Sequence, residues 1–244
     1  MSERGPAPDH FTAVVRDWSQ LGPPLRPSPE DSAIVRRVAA ELKPGARVAV
    51  LGLTPEILAC SWPAETKLIA IDHSVRMIAA LWKPEQITAE ARIAVADWRA
   101  VPLESASIDF TAGDGCFTMF PYPDEMGLFA REVARIVRPR GRFVTRQFLR
   151  PAHAESIETI AQQLSAGAIG SVHALKLRIL AALHAKNGEG TLLAGVYPVW
   201  KAMPPIPASL RGRPGWTEPE IASIESYRDR PGRFHLPTLE ELRT

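Results

Sequence analysis

Val48-Ala-Val-Leu-Gly52, Leu68-Ile-Ala-Ile-Asp72 and Ile93-Ala-Val-Ala-Asp97-Trp98 are three short apolar runs, each ending at a glycine or an acid. Each is long enough for a strand buried on both faces, and an open parallel sheet binds its ligand outside the carboxyl ends of such strands. The two acids therefore fall where a ribose and a base would lie. The series reads as a nucleoside-binding α/β domain.

The flanking sequence supplies the helices. Residues 31–42 carry Ile34, Val35, Val38 and Leu42 at helical spacing and stop before Pro44-Gly45. Thr54-Pro55 predicts an N-cap and a first-turn proline, with a short helix to about Cys60, and Ser74 caps a helix carrying Val75, Ile78 and Leu81. Strands are expected at 47–51, 67–71, 91–96, 107–112 and about 141–148, with a strong helix over 123–138 that presents Met126, Phe129, Val133, Ile136 and Val137. This alternation predicts an α/β fold: a doubly wound, mostly parallel sheet with helices on both faces.

Residues 153–187 change character. Ile157, Ile160, Ala161 and Leu164, then Val172, Leu175, Ile179 and Leu183, repeat at helical spacing and predict a two-helix insert that packs as a cover. Six prolines in residues 1–30 and eight in 198–237 mark flanks that are extended or turn-rich. The expected organisation is an N-terminal cover arm over 1–30, a cofactor-binding core over 31–150 and a helical lid, substrate region and C-terminal segment over 151–244.

Composition bounds the function. The chain has 244 residues, 45% of them hydrophobic, and a net charge of +2 from 29 basic and 27 acidic residues. That balance gives no footprint for nucleic acid. No apolar run approaches the roughly 18 residues that span a bilayer, and Met1-Ser-Glu-Arg-Gly-Pro lacks an apolar signal segment, so a cytoplasmic address without membrane contact is expected. Cys60 and Cys116 have no CxxC spacing and read as reduced thiols; the six histidines show no ligand spacing, and no metal is expected. Arg138, Arg140, Arg142, Arg146 and Arg150 crowd an acid-free stretch that reads as a solvated strand edge or, alternatively, as a phosphate site.

Asp72 stands 20 residues after Gly52, the interval of a strand, turn, helix and second strand ending in a ribose ligand. Alternatively Asp72 caps the helix at Ser74. Asp97 offers an acceptor to an exocyclic amino group and Trp98 an indole face, unless Asp97 caps a turn and Trp98 fills core.

On these residues the chain resembles the class I S-adenosylmethionine-dependent methyltransferases over about residues 33–148. Their first strand and loop commonly read LDLGCGTG; here the stretch is Val48-Ala-Val-Leu-Gly-Leu-Thr-Pro-Glu-Ile57, with one glycine and a turn similar to a Gly-x-Thr-Pro-Glu subgroup. The resemblance implies a Rossmann-like methyltransferase fold with S-adenosylmethionine as cofactor. It places Gly52, Leu53 and Thr54 in the cofactor loop, Asp72 at the ribose, and His73 and Met77 on the adenine side. Asp97 and Trp98 would meet the adenine, and Gly113, Asp114 and Gly115 would sit where the cofactor's amino-acid end meets the acceptor.

Such a reaction is an in-line displacement dominated by alignment, on a small-molecule substrate, so no catalytic group is named. His73, Tyr122, Asp114 and Arg146 are the groups near which a base would be sought. Arg146 could clamp an acceptor carboxylate or pair with an acid of the lid or arm, and Trp18 and Arg26 of the arm resemble a cover over cofactor or acceptor. The sequence from Thr238 reads as the start of a last helix. The C-terminal strand hairpin is thus incomplete: the chain is short, or residues 192–200 contain a strand, or a partner, as in a homodimer, finishes the sheet edge. Two rivals remain: a non-catalytic binding protein on this fold, and a nicotinamide oxidoreductase, which would lack its GxGxxG series.

Overall fold

Alternate residues of the first strand serve two different cores. In the computed structural model, which describes residues 18–187 and 190–243, strand β1 (Arg47–Leu51) sends Val48 and Val50 into one apolar cluster and Ala49 and Leu51 into another. A strand with both faces dry must be covered on both sides. Helices α1 (Pro29–Ala39), α2 (Pro55–Leu58) and α3 (Val75–Leu81) cover the first face with Val35, Ala39, Ile57, Leu58 and Met77. Helix α4 (Asp124–Ile136) covers the second with Met126, Phe129, Val133 and Ile136. Helix α1 starts at a capping box, in which the Asp31 N–H donates to Ser28 Oγ at 3.1 Å and the Ser28 N–H to Asp31 Oδ2 at 2.8 Å.

The sheet runs β3 (Glu90–Val95), β2 (Lys67–Asp72), β1, β4 (Ile108–Asp114), β5 (Val137–Arg146), and every neighbouring pair is parallel. Register brings the carboxyl ends to one rim: Leu51 pairs with Ile71 and Gly113, Asp72 with Val95, and Asp114 with Arg146. Gly113 has a packing reason to be glycine. A Cβ there would stand 2.3 Å from Cys116 Sγ and 3.2 Å from the Leu51 carbonyl oxygen. Gly113→Ala is therefore expected to cost about 1–3 kcal/mol by overpacking. The readout is the thermal midpoint, which stays put only if Cys116 swings aside at no cost.

Several expectations need correction. Strand β3 is not buried on both faces; it is an edge strand with exposed and half-buried positions. Strand β5 begins at Val137, directly after α4, because Val137 pairs with Ile108 before a bulge. The ladder resumes at Arg142 and Phe110, with Arg140 at φ 68° between. No strand follows β5 in this sheet among the described residues. Residues 191–192 do form a strand, β6 (Thr191–Leu192), but it pairs antiparallel with β7 (Arg233–Phe234) in a separate two-stranded sheet. The segment after Thr238 is a turn, tied by the Glu241 N–H to Thr238 Oγ1 at 3.1 Å, with no helix among its described residues.

The residues beyond 150 build a third core of their own. Helices α5 (Ile157–Ser165) and α6 (Val172–Asn187) meet α7 (Val196–Lys201) and α8 (Glu218–Ala222) around Ile160, Leu164, Leu175, Ile179, Leu193 and Trp216. Helix α6 is buried nearly all round, so its His173, Lys176 and His184 lie inside with the aliphatic residues. No helix of the described residues is long and apolar enough to cross a membrane.

The basic stretch on β5 is largely neutralised. Arg138 pairs with Asp109, Arg142 with Glu41 at 2.5 Å, Arg146 with Asp114 at 2.6 Å and Arg150 with Glu241 at 3.0 Å. These partners come from distant elements, and the arrangement does not assemble a phosphate site.

Candidate functional site

The strand rim opens into a cavity of about 490 Å³. Its floor is Leu51, Gly52, Leu53 and Thr54 after β1, Asp72, His73 and Met77 after β2, Asp97 to Arg99 after β3, and Asp114 and Gly115 at the end of β4. Eleven of the fifteen residues singled out from sequence share this one space, counting Trp18 with the floor.

Gly52 sits at φ +87°, a conformation that side-chain-bearing residues rarely adopt, and a Cβ on it would approach the Trp98 ring to 3.4 Å. The single glycine of this loop is thus at the position that needs one. Leu53, the next residue, is 2% exposed and packs in the core shared with Ile57 and Met77. Thr54 stands at the N-cap of α2, as expected, without a side-chain capping bond.

Asp72 is 6% exposed, and its Oδ1 accepts the Ser74 N–H at 2.8 Å. Capping and ligand binding are therefore not exclusive: one oxygen organises the entry to α3 while the residue lines the cavity. Trp98 is fixed by its Nε1 donating to the Ile71 carbonyl at 2.7 Å.

Arg99 was not anticipated. Its backbone N–H donates to Asp97 Oδ1 at 2.8 Å, its Nη2 to Asp97 Oδ2 at 2.5 Å and its Nη1 to Glu125 at 2.5 Å. The guanidinium also lies 5.5 Å from the Phe120 ring centroid. These hydrogen bonds hold the Asp97 carboxyl below its ordinary range. Asp97 thus does cap a turn, and it does so on the cavity wall. The signal available in the sequence was the acid-x-arginine spacing beside Trp98.

Four candidates lie outside the lining. Gly113 is packed beneath it against Leu51 and Cys116. Tyr122 is 42% exposed, on the surface. Arg26 pairs with Glu56 at 2.5 Å, and its guanidinium carbon lies 5.3 Å from the Trp18 ring centroid; it holds the lining tryptophan from behind. Arg146 donates to both oxygens of Asp114, at 2.6 and 2.9 Å, and to the Pro24 carbonyl at 2.7 Å and the Arg26 carbonyl at 3.1 Å. It also approaches Asp31 to 3.6 Å, so it ties the arm to the rim and is not a free clamp. Burial pushes the Asp114 carboxyl up, and the Arg146 pair opposes that shift.

The opposite wall was not read from sequence. It comes from Phe148, from Thr118 to Phe120, and from the C-terminal segment with Ser226, Tyr227, Arg230, Gly232, Arg233 and Phe234. Gln147 links the two sides, its Nε2 donating to Thr118 Oγ1 at 2.5 Å. Among the described residues no group of three or more His, Cys, Asp or Glu could hold a metal ion. Both cysteines are buried and free, and burial pushes the Cys116 thiol to about 12.

Residues 51–145 match the model of a family described as a methyltransferase domain. A comparison with curated proteins gives no match. Among solved structures, a SAM-dependent methyltransferase from Aquifex aeolicus is 18% identical, with 57% of this chain and 79% of that one covered and a TM-score of 0.41. The YcgJ protein of Bacillus subtilis is 19% identical, with a TM-score of 0.44; 55% of this chain is covered, and the match spans only 57% of YcgJ. A structure described as putative Zn-dependent alcohol dehydrogenases from Rhodobacter sphaeroides is 17% identical over 95% of this chain and 84% of that one, with a TM-score of 0.50. That last likeness extends over the helical region and concerns fold alone. The matched domain, with the strand-end geometry, points to S-adenosylmethionine as the cofactor.

Proposed function

We propose that this chain, with its methyltransferase domain over residues 51–145, is an S-adenosylmethionine-dependent methyltransferase that acts on a small molecule. The observation that carries the reading is one shared cavity. It holds a buried acid at the end of β2, a left-handed glycine after β1 and an indole after β3, and the C-terminal segment from Ser226 to Phe234 closes it on the other side. The residues fit the cofactor. Gly52 leaves backbone room, Asp72 faces ribose hydroxyls, Asp97 and Trp98 border the base, and Gly115 with Asp114 borders the amino-acid end. Trp18 adds an aromatic side chain to the lining.

When bound, the cofactor supplies an electrophilic methyl on a sulfonium. The chain's own task is then alignment and exclusion of water. Residues 31–150 hold the cofactor, the arm supplies Trp18 as cover, and residues 151–244 form the acceptor wall. Of the four groups considered as a base, Tyr122 is exposed outside the lining and Arg146 is committed to Asp114, which leaves His73 and Asp114 on the lining.

Calorimetry with S-adenosylmethionine, S-adenosylhomocysteine and NAD tests this reading. Micromolar binding of the first two is expected; binding of NAD alone would replace it with an oxidoreductase. Arg99→Ala is expected to weaken S-adenosylmethionine binding about tenfold, the worth of one well-placed polar contact, because Asp97 loses the groups that aim it. Unchanged affinity in that variant would remove Asp97 from base recognition. The glycine-poor loop favours a second reading, a binding protein on the same fold. It would show tight cofactor binding with no methylated product from any acceptor.

A further inference from the structure

The five-stranded sheet has two edges, and they are built differently. Strand β5 carries Pro139, a bulge before Arg142 and a run of arginines, three devices that stop one sheet edge from joining another. Strand β3 has neither proline nor bulge. Its register with β2 is unbroken from Glu90 to Val95, and no strand lies beyond it among the described residues.

Two hydrogen bonds fix which way its backbone faces. The Glu90 N–H donates to the Thr66 carbonyl at 3.1 Å and the Ala96 N–H to the Asp72 carbonyl at 3.2 Å. Main-chain groups alternate sides along a strand, so the even-numbered residues face β2, and Ala91, Ile93 and Val95 turn their N–H and C=O groups away from the sheet. Side chains alternate as well. Ile87, Ala89, Ala91 and Ile93 are half-buried against the core of the first face. Glu90 and Arg92 are exposed and pair with each other at 2.9 Å. Val95 is 62% exposed.

We propose that β3 is the interface of a symmetric dimer, in which it pairs antiparallel with β3 of a second copy of this chain about a twofold axis at Ala91. The chemistry of the strand selects this register. Ala91 exchanges two hydrogen bonds with its counterpart, Ala89 lies opposite Ile93, Ile87 covers the exposed Val95, and Glu90 faces Arg92 on both sides of the axis. Sliding one copy by two residues sets Glu90 against Glu90 in one direction and Arg92 against Arg92 in the other. Sliding it by one sets outward-facing backbone groups against inward-facing ones, which leaves no ladder. The two signs on β3 thus favour one pairing and penalise its neighbours. The contact is isologous and closes on itself, and the carboxyl rims of the two copies point in opposite directions. A single pair of short strands buries little area, so the association is weak and rises with concentration. The inference concerns the sheet edge and does not depend on the methyltransferase reading.

Analytical ultracentrifugation of the full chain across a hundredfold range of concentration is expected to show a reversible monomer–dimer equilibrium. Ala91→Pro removes the two N–H donors at the axis and spares the bonds to β2, since proline is tolerated where its nitrogen faces away from the sheet. That variant is expected to be monomeric, with a thermal midpoint near the parent's. Glu90→Arg sets like charges opposite each other on both sides of the axis, as does Arg92→Glu, and each alone is expected to weaken the dimer tenfold or more. Mixing these two variants brings opposite charges together again, so the mixture is expected to dimerise at least as well as the parent. The charge variants carry the test if Ala91→Pro does not fold. A parent that stays monomeric throughout, a dimer that survives in folded Ala91→Pro, or single charge variants that associate as the parent does would overturn the proposal. So would a mixture that associates no better than its components.

Discussion

Replacing Asp72 with alanine is expected to weaken S-adenosylmethionine binding about 100-fold, from two charge-assisted hydrogen bonds worth about 1.5 kcal/mol each. Asp72 is buried at the end of β2, in register with the end of β3, and ribose hydroxyls at that place have little water to turn to. The alanine variant also loses the acceptor for the Ser74 N–H, so part of the effect could arise from loosening the start of α3. Asp72→Asn separates the two causes. Asparagine keeps a carbonyl oxygen for Ser74 and presents an amide that can accept only on that side, so its thermal midpoint should stay near that of the parent while affinity still falls tenfold or more. Calorimetry and a thermal melt on both variants decide it. If asparagine binds as tightly as aspartate, Asp72 is a helix-capping acid and nothing more.

The sheet was legible because its signals are local. The period-2 division of Val48 and Val50 from Ala49 and Leu51 is visible in five consecutive residues, and the acids follow directly on their strands. What was missed is long-range. Arg150 meets Glu241, and β6 meets β7 across some forty residues; no periodicity announces such pairings. The C-terminal wall of the cavity was invisible for the same reason, since Tyr227 to Phe234 have neither strand nor helix pattern. Arg146 was read as a clamp or as the partner of a lid or arm acid, and nothing local shows that its main partner is Asp114, opposite it in the ladder. Helix α6 misled in a different way. Its aliphatic repeat was correct, but a helix buried on nearly all faces takes its polar residues inside as well, and His173, Lys176 and His184 followed.

Those buried histidines make the helical layer sensitive to acid. His184 is 3% exposed and His173 is 1% exposed, and no ring nitrogen of either has a hydrogen-bond partner among the described residues. Burial, reinforced by Arg150 and His235 around His184 and by Lys176 around His173, lowers both to about 4. Glu241 and Glu220 oppose the shift without cancelling it. The sign follows from linkage: the unfolded chain binds these protons near pH 6.5 and the folded chain does not, so stability is full above that pH and drains away as pH falls toward 4. At pH 5 each imidazole is expected to cost about 2 kcal/mol relative to pH 7.5, and the two together are a large share of a typical folding free energy. Urea titrations at the two pH values measure the loss. His184→Leu replaces the ring with an apolar group of similar reach and is expected to flatten about half of the pH dependence. A variant whose acid sensitivity equals the parent's would mean that His184 titrates normally and the burial argument fails there. If sensitivity falls by half, the acid lability is assigned to the helical layer. The C-terminal wall of the cavity, whose Tyr227 packs in that layer's core, should then be lost before the strand rim as pH falls.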